Sequence, residues 1–349
     1  LGKKEIDMKI LVTGGGGFLG AAIIRQLIAR ENDVVSYSRR RYAVLDDLGV
    51  NQFQGDLLDI EKLRQAMGGC EAVFHVAAKI GMWGKYEDFF QNNVKGTENV
   101  IRTCKDLGIR YLIFTSSPSV VFDGKDCEGK NESLPYPIKY RAFYPQTKAM
   151  AEQIVMASNN AFFKTVCLRP HLIWGPGDNQ LLPKLVEKAK KGRLRIIGEG
   201  SKKVDCIFID NAAKAHVLAL DQIIQDSSKV EGKAYFISQG HPIAIADLIN
   251  QLLNAAGLPP VSKHLPPTIA RVLAGTLESI YRLFGIESEP MITSFLSQQL
   301  ITSHWYDISA AKRDFGYQAE VSIENGMEQL KHWLSTEKSE NIFPKSQGF

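Results

Sequence analysis

One stretch constrains the fold of this chain more than any other: Lys9-Ile10-Leu11-Val12-Thr13-Gly14-Gly15-Gly16-Gly17-Phe18-Leu19-Gly20. Apolar and β-branched residues run straight into glycine, as a buried parallel strand does. The apolar-periodic segment 21–29 follows at once, as a helix does. The glycines therefore sit at a strand-to-helix turn, where bare backbone and the positive end of a helix can meet a pyrophosphate. Gly14 is expected to make the tight turn. Gly17 is expected to let phosphates approach, with Phe18 and Leu19 beside it, and Gly20 to let the helix pack on the strand. A glycine triplet alone is a weak signal. The strand before it and the helix after it are what make it a nucleotide-binding turn.

The elements that follow extend the same pattern. Strands are expected over 33–38, 51–55, 71–78, 111–115 and 165–170, with helices over 60–67, 92–107 and 144–157 between them. Such alternation specifies an α/β fold with a doubly wound parallel sheet. The segment 123–140 reads as a surface loop, rich in charge, glycine and proline. After Trp174-Gly175-Pro176-Gly177-Asp178 the pattern changes. A basic amphipathic helix is expected over 181–191, a strand over 204–209, a helix over 210–220 with Asp210 as its N-cap, a strand over 234–238 and a helix over 243–256. The expected organisation is a Rossmann-type dinucleotide domain over 8–178, completed by about 204–240. A smaller, mainly helical substrate-binding region takes 179–203 and 241–333, with tails at 1–7 and 334–349. The amphipathic segment 268–284 reads as a core or lid helix, or as one lying on a membrane surface.

Composition narrows the classes. With 349 residues and 44% hydrophobic content, the chain can build full cores without disulfides or metals. A net charge of +4 spread along the sequence does not resemble a nucleic-acid-binding surface. The five cysteines are scattered and odd in number, which fits buried thiols in a reducing compartment. The histidines show no metal-ligand spacing, so no metal is expected. The first residues are charged and lack the apolar core of a secretory signal, and no apolar run approaches ~20 residues, so a cytoplasmic protein without a transmembrane segment is expected.

Two local patterns carry chemistry. The second strand ends at Ser38-Arg39, about twenty residues beyond the glycines, where an NAD site places a carboxylate on the adenosine ribose. A carboxylate repels a 2′-phosphate and a guanidinium pairs with it, so Ser38 and Arg39 favour NADP(H). The other pattern is Tyr144-Pro145-Gln146-Thr147-Lys148. Tyr144 and Lys148 are four apart and share a helix face, with Pro145 acceptable only in a first turn. An ammonium one turn away is expected to lower the tyrosine pKa from its ordinary value of about 10 and make an acid–base pair. A serine-rich strand end lies upstream.

Taken with Asp56-Leu57, Asn93-Val94-Lys95-Gly96-Thr97, Ser116-Ser117 and Arg169-Pro170, these motifs resemble the extended short-chain dehydrogenase/reductase family, in order from residue 8 to about 178. The resemblance implies a catalytic set of Ser117, Tyr144 and Lys148, with Ser119 as the alternative serine. It also implies adenine contacts at Asp56 and Leu57, Ala77 along the cofactor, and Pro170 beside the nicotinamide. The run Thr115 to Phe122 is similar to the 3β-hydroxysteroid and sterol-4-carboxylate 3-dehydrogenase branch. The runs Ala77 to Gly84, Leu172 to Asp178, Gly198 to Asp205 and His304-Trp305-Tyr306 resemble the 2-alkyl-3-oxoalkanoate reductases of bacterial long-chain olefin biosynthesis. That likeness implies NADPH-dependent reduction of a 2-alkyl-3-oxoacid to the 3-hydroxyacid, and an apolar tunnel from the C-terminal region, including 268–300. It further implies a small-molecule β-keto or β-hydroxy acid as partner, a possible homodimer through helices 93–107 and 144–157, and pathway neighbours in a condensing enzyme and a β-lactone synthetase. The substrate carboxylate needs a cation, because burying it unpaired is costly; Lys79, after the fourth strand, is the candidate. Pro118-Ser119 replaces the acidic pair of sugar-nucleotide dehydratases, Ser38-Arg39 argues against an epimerase, and an intact Ser-Tyr-Lys set argues against a non-catalytic NADP sensor.

Overall fold

A computed structural model of the chain describes residues 8–336. The expectations for 1–7 and for 337–349 lie outside the described residues. Seven parallel strands form one sheet: β1 (Lys9–Thr13), β2 (Asp33–Ser38), β3 (Asn51–Gln54), β4 (Ala72–His75), β5 (Tyr111–Thr115), β6 (Lys164–Pro170) and β7 (Lys233–Ile237). Their order is β7-β6-β5-β4-β1-β2-β3. The chain reverses direction across the sheet between β1 and β4, and a crevice opens at the carboxyl ends of the strands there.

Alternation along each strand divides the core. Ile10, Val12, Phe74, Ile113, Val166 and Leu168 point to one face, against α1 (Phe18–Ile28) and α5 (Ile209–Gln225). Leu11, Val35, Val73, Leu112, Phe114 and Cys167 point to the other. There they meet α2 (Ile60–Met67), α3 (Gly96–Asp106) and α4 (Phe143–Ala157). This is the doubly wound architecture the alternation of elements calls for.

The differences from expectation have local causes. The helix expected to open at residue 92 starts as a turn at Tyr86–Phe89, passes through a π-helical stretch, Phe90–Lys95, and only then becomes α3. The extra residue in the turn carries Asn93 into the interior. The strand expected over 204–209 is split into Lys203–Val204 and Ile207–Phe208. Between them the Asp205 carboxylate turns to accept the Tyr306 amide at 2.7 Å. Helix α5 then follows directly on Phe208, so Asp210 lies in the first turn rather than at the cap. Its charge still meets the positive helix end.

The 123–140 loop is less peripheral than its composition suggests. Cys127–Lys130 joins a four-stranded mixed sheet with Ile243–Ala244, Lys203–Val204 and His304–Tyr306. The final helix, Ile323–Thr336, runs past residue 334, where a tail was expected. Among the described residues no helix is long and apolar enough to cross a membrane.

Candidate active site

The glycine turn is shaped by what surrounds it. Gly14 has a φ of +69°, and an added Cβ would lie 3.0 Å from the Ala77 backbone. The tight turn and the small residue at the end of β4 are therefore one feature. Its amide bonds the Tyr37 carbonyl at 2.8 Å. A Cβ on Gly20 would collide with the Gly14 carbonyl, so α1 packs against the turn itself. Gly16, which the sequence reading gave no role, has the Tyr42 ring against its α-carbon. Gly17 caps α1 without any side-chain bond. The first-turn amides, including those of Phe18 and Leu19, have no intrahelical partners and face the crevice.

A cavity of about 770 Å³ runs along this crevice. Gly14, Gly17, Phe18, Leu19, Ser38, Arg39, Asp56, Leu57, Ala77, Ser117, Tyr144, Lys148 and Pro170 all line it, so residues spread over more than 150 positions share one wall. Arg40 and Tyr42 line it too, with the Arg40 guanidinium 5.0 Å from the Tyr42 ring centre. Of the three consecutive arginines, Arg41 is tied to Asp46 at 2.6 Å. The Ser38 hydroxyl is buried and has no partner. A backbone cradle, an orphaned hydroxyl and two guanidinium groups at the far end fit a dinucleotide.

At the other end, α4 begins at Phe143 and Pro145 lies in its first turn, as the spacing required. Ser117 follows β5 and accepts the Ser119 amide at 3.2 Å. Its Oγ is 2.9 Å from that of Ser119. Ser117 and the preceding Ser116 line the cavity, and Ser119 does not. The Lys148 ammonium donates to the Thr115 carbonyl at 2.6 Å and lies 4.0 Å from the centre of the Phe114 ring.

This geometry corrects the expected electrostatics. Burial pushes the Tyr144 phenol above its ordinary value, and the Ser117 hydroxyl only partly offsets this. Lys148 points its charge at Thr115 and does not bring the phenol down. Its own ammonium is pulled by burial to about 7, with Glu152 opposing.

Lys79 stands apart. Its ammonium is paired with Asp88 at 3.3 Å, its side chain is a third exposed, and it does not line the cavity. Its backbone is fixed instead: Asn93 Oδ1 accepts the Lys79 amide at 2.7 Å and Nδ2 donates to the Lys79 carbonyl at 3.0 Å.

A buried network behind the wall was not anticipated. The Thr13 hydroxyl oxygen accepts the Val76 and Ala77 amides, at 3.1 and 3.2 Å, so its proton goes to His75 Nδ1 at 2.8 Å. His75 Nε2–H then donates to Thr97 at 2.9 Å, and Thr97 to the Asn93 carbonyl at 2.6 Å. Burial holds His75 neutral, with its pKa down at about 3, consistent with this tautomer. Asn93 closes the chain by donating to Thr147, at 3.0 Å, on the turn of α4 between Tyr144 and Lys148. Gly96 completes the motif: a Cβ there would sit 2.9 Å from Leu57. The Asn-Val-Lys-Gly-Thr run was the signal for this network.

Comparisons with known proteins show what the whole chain is similar to. Residues 11–267 match the 3-beta hydroxysteroid dehydrogenase/isomerase family. The chain is 49% identical to a 2-alkyl-3-oxoalkanoate reductase of Shewanella oneidensis, over 92% of this chain and 84% of that one. It is 48% identical to a protein of the same name from Stenotrophomonas maltophilia, over 93% and 98%. A human sterol-4-alpha-carboxylate 3-dehydrogenase (decarboxylating) is 35% identical over 91% and 86%. Among solved structures, UDP-glucose 4-epimerase from Thermotoga maritima superposes with a TM-score of 0.75 at 19% identity, covering 94% of this chain and 99% of that one, a likeness of fold. The chain belongs to the 3-beta hydroxysteroid dehydrogenase/isomerase family of extended short-chain dehydrogenase/reductases, and is an oxidoreductase acting on hydroxyl or keto carbons.

Proposed function

We propose that the protein reduces 2-alkyl-3-oxoalkanoic acids to 2-alkyl-3-hydroxyalkanoic acids with NADPH, reversibly, in long-chain olefin biosynthesis. The observation that carries this reading is the single cavity shared by the glycine turn, Arg39, Ser117, Tyr144 and Lys148, in a chain nearly half identical to reductases of that name. Gly14, Gly17, Phe18 and Leu19 would take the pyrophosphate. Asp56 and Leu57 would meet the adenine, with Ser38 and Arg39 at the 2′-phosphate, Ala77 along the chain and Pro170 at the nicotinamide. Bound there, NADPH supplies the hydride. Ser117 hydrogen-bonds the substrate oxygen and Tyr144 donates the proton to it. Lys148 supplies positive charge behind Tyr144 and a donor for the nicotinamide ribose. A tyrosine phenol, with an ordinary pKa of about 10, is protonated at neutral pH and can donate in the reductive direction.

The substrate carboxylate would use Lys79 only if Asp88 released it. A raised KM for the acid in Lys79→Ala, with kcat unchanged, supports that recruitment; an unchanged KM removes Lys79 from the site. A homodimer through α3 and α4, and pathway partners in a condensing enzyme and a β-lactone synthetase, are supported by the family resemblance. The decisive assay follows nicotinamide absorbance with NADP+ and a synthetic 2-alkyl-3-hydroxyalkanoic acid, and NAD+ in parallel. NADPH formation with NADP+ alone is the expected result. Turnover of a sterol-4-carboxylate but not of the hydroxyacid would move the protein to the sterol branch.

A further inference from the structure

Tyr144, Lys148 and Glu152 are successive i, i+4 positions on α4 and share one face. Lys148 is 2% exposed and Glu152 is fully buried. The direct contacts of the ammonium, a carbonyl and an aromatic face, are few for a full positive charge out of water. Of the titratable groups around it, Tyr144 shares its helix, Cys167 comes from β6 and His75 from β4. Burial keeps all three in their neutral forms at pH 7. Glu152 is the anion of the set.

Glu152 is gripped by three donors. Its Oε1 accepts the Tyr136 hydroxyl at 2.6 Å and Arg169 Nη2 at 2.6 Å, and its Oε2 accepts Arg169 Nε at 2.9 Å. Arg169 lies between Phe236 and Tyr136, at 5.1 and 5.9 Å from their ring centres, and its Nη1 is buried without a partner. Burying such a pair gives little stability over apolar residues of the same volume. The fork leaves one guanidinium nitrogen stranded, so packing alone does not account for it.

We propose that Glu152 is a positioning residue for the reaction: the buried counter-charge one turn along α4 that favours the charged form of Lys148 behind Tyr144, itself held by Arg169 and Tyr136. It lines no part of the cavity and acts only through Lys148, so the inference rests on the role given to Lys148 above. Its removal leaves the desolvation of Lys148 unopposed, and the ammonium gives up its proton at lower pH.

The test reads Lys148 directly, on the full chain without cofactor. Protein labelled with 13Cε-lysine is titrated by NMR, and the Lys148 signal is assigned by its loss in Lys148→Met. In Glu152→Gln the Lys148 midpoint should fall by about one pH unit or more, a tenfold change in its protonation equilibrium. Glu152→Asp, which keeps the charge, should recover most of that shift. Because Glu152→Gln leaves the Arg169 charge uncompensated, which by itself lowers the Lys148 midpoint, the double variant Glu152→Gln/Arg169→Met removes both buried charges and should show a smaller fall in a folded protein. An unmoved midpoint in the folded Gln variants overturns the proposal. Since the midpoint is read without turnover, a wrong substrate assignment leaves it intact and appears only as absence of NADPH formation in the assay above.

Discussion

The two walls of the molecule are built differently. Behind the glycine turn, polar groups are cross-linked: Thr13, His75, Thr97, Asn93 and Thr147 form one buried chain from β1 to α4. Helix α6 (Pro267–Leu283) and the loop after it present the opposite character. Val272 is 70% exposed, Leu283 80% and Phe284 72%. One face of the helix is anchored by a small apolar cluster of Ala270, Ala274, Leu273, Leu277, Ile197 and Ile292, and the loop after it is tied at polar points: Trp83 Nε1 on the Ile286 carbonyl at 3.0 Å, Lys85 on Glu287 at 2.7 Å and Lys184 on Glu289 at 2.8 Å. The first wall has one arrangement available to it, because every buried donor in the chain has an assigned acceptor. The second is held by a small apolar cluster, with exposed ion pairs at its edge that contribute little. A fixed wall suits an invariant dinucleotide and a proton donor placed to fractions of an ångström. No residue of α6 lines the cavity, so its exposed apolar face is a separate feature.

The largest effects should come from the fixed wall. Tyr144→Phe removes the proposed proton donor and should lower kcat by roughly 10²–10⁴-fold, with little change in NADP+ affinity measured by fluorescence quenching. Retained turnover would take catalysis away from this wall. Next, one pair of glycines separates the walls by stability. In Gly20→Ala the new methyl meets the Gly14 carbonyl, a backbone atom that cannot yield, and thermal unfolding should show a loss of about 1–3 kcal/mol or more. In Gly275→Ala, within α6, the methyl meets nothing within 4 Å, and the variant should gain about 0.5–1 kcal/mol. Equal losses at both positions would erase the contrast. Arg39→Ala should then reduce the preference for NADP+ over NAD+ by about 10–100-fold, since a charge-assisted hydrogen bond contributes about 1.5–3 kcal/mol. An unchanged ratio would leave the 2′-phosphate to Arg40.

Charge adds a further contrast within the fixed wall. The Lys148 ammonium is pulled to about 7 in the folded protein, below its ordinary value. Between pH 7 and about 10.4 the unfolded chain therefore binds the extra proton, and stability rises with pH across that window. Below pH 7 both states are protonated and the full cost of burying the charge remains. Lys148→Met should accordingly raise Tm by several degrees at pH 6 and by less at pH 9.5. A gain independent of pH would mean that Lys148 is not the group titrating there.

What the sequence made legible follows this division. The strand–glycine–helix unit, the parallel sheet and the Tyr144–Lys148 spacing were readable because period and turn chemistry are local. The network through His75 and Asn93 was not. A lone buried histidine has no local signature, and Asn93 is turned inward by a π-helical stretch that no 3.6-residue pattern anticipates. The direction of the Tyr144 shift was missed because spacing places Lys148 on the right face but says nothing of the Thr115 carbonyl that captures it. Lys79 was placed correctly after β4, yet Asp88, nine residues on, takes its charge.

The smallest expected effect bears most directly on the loose wall. Leu283→Ser exchanges an 80% exposed side chain for a hydroxyl. So little apolar area is removed from water there that stability should change by less than about 0.5 kcal/mol. If α6 wraps the alkyl chains of the substrate, KM should nonetheless rise for long-chain hydroxyacids and stay constant for short ones, with kcat unaltered. A KM that rises for every chain length would mean that α6 shapes the reacting end of the site. One that is flat for all of them would place the tunnel elsewhere and leave the exposed face of α6 without a part in catalysis.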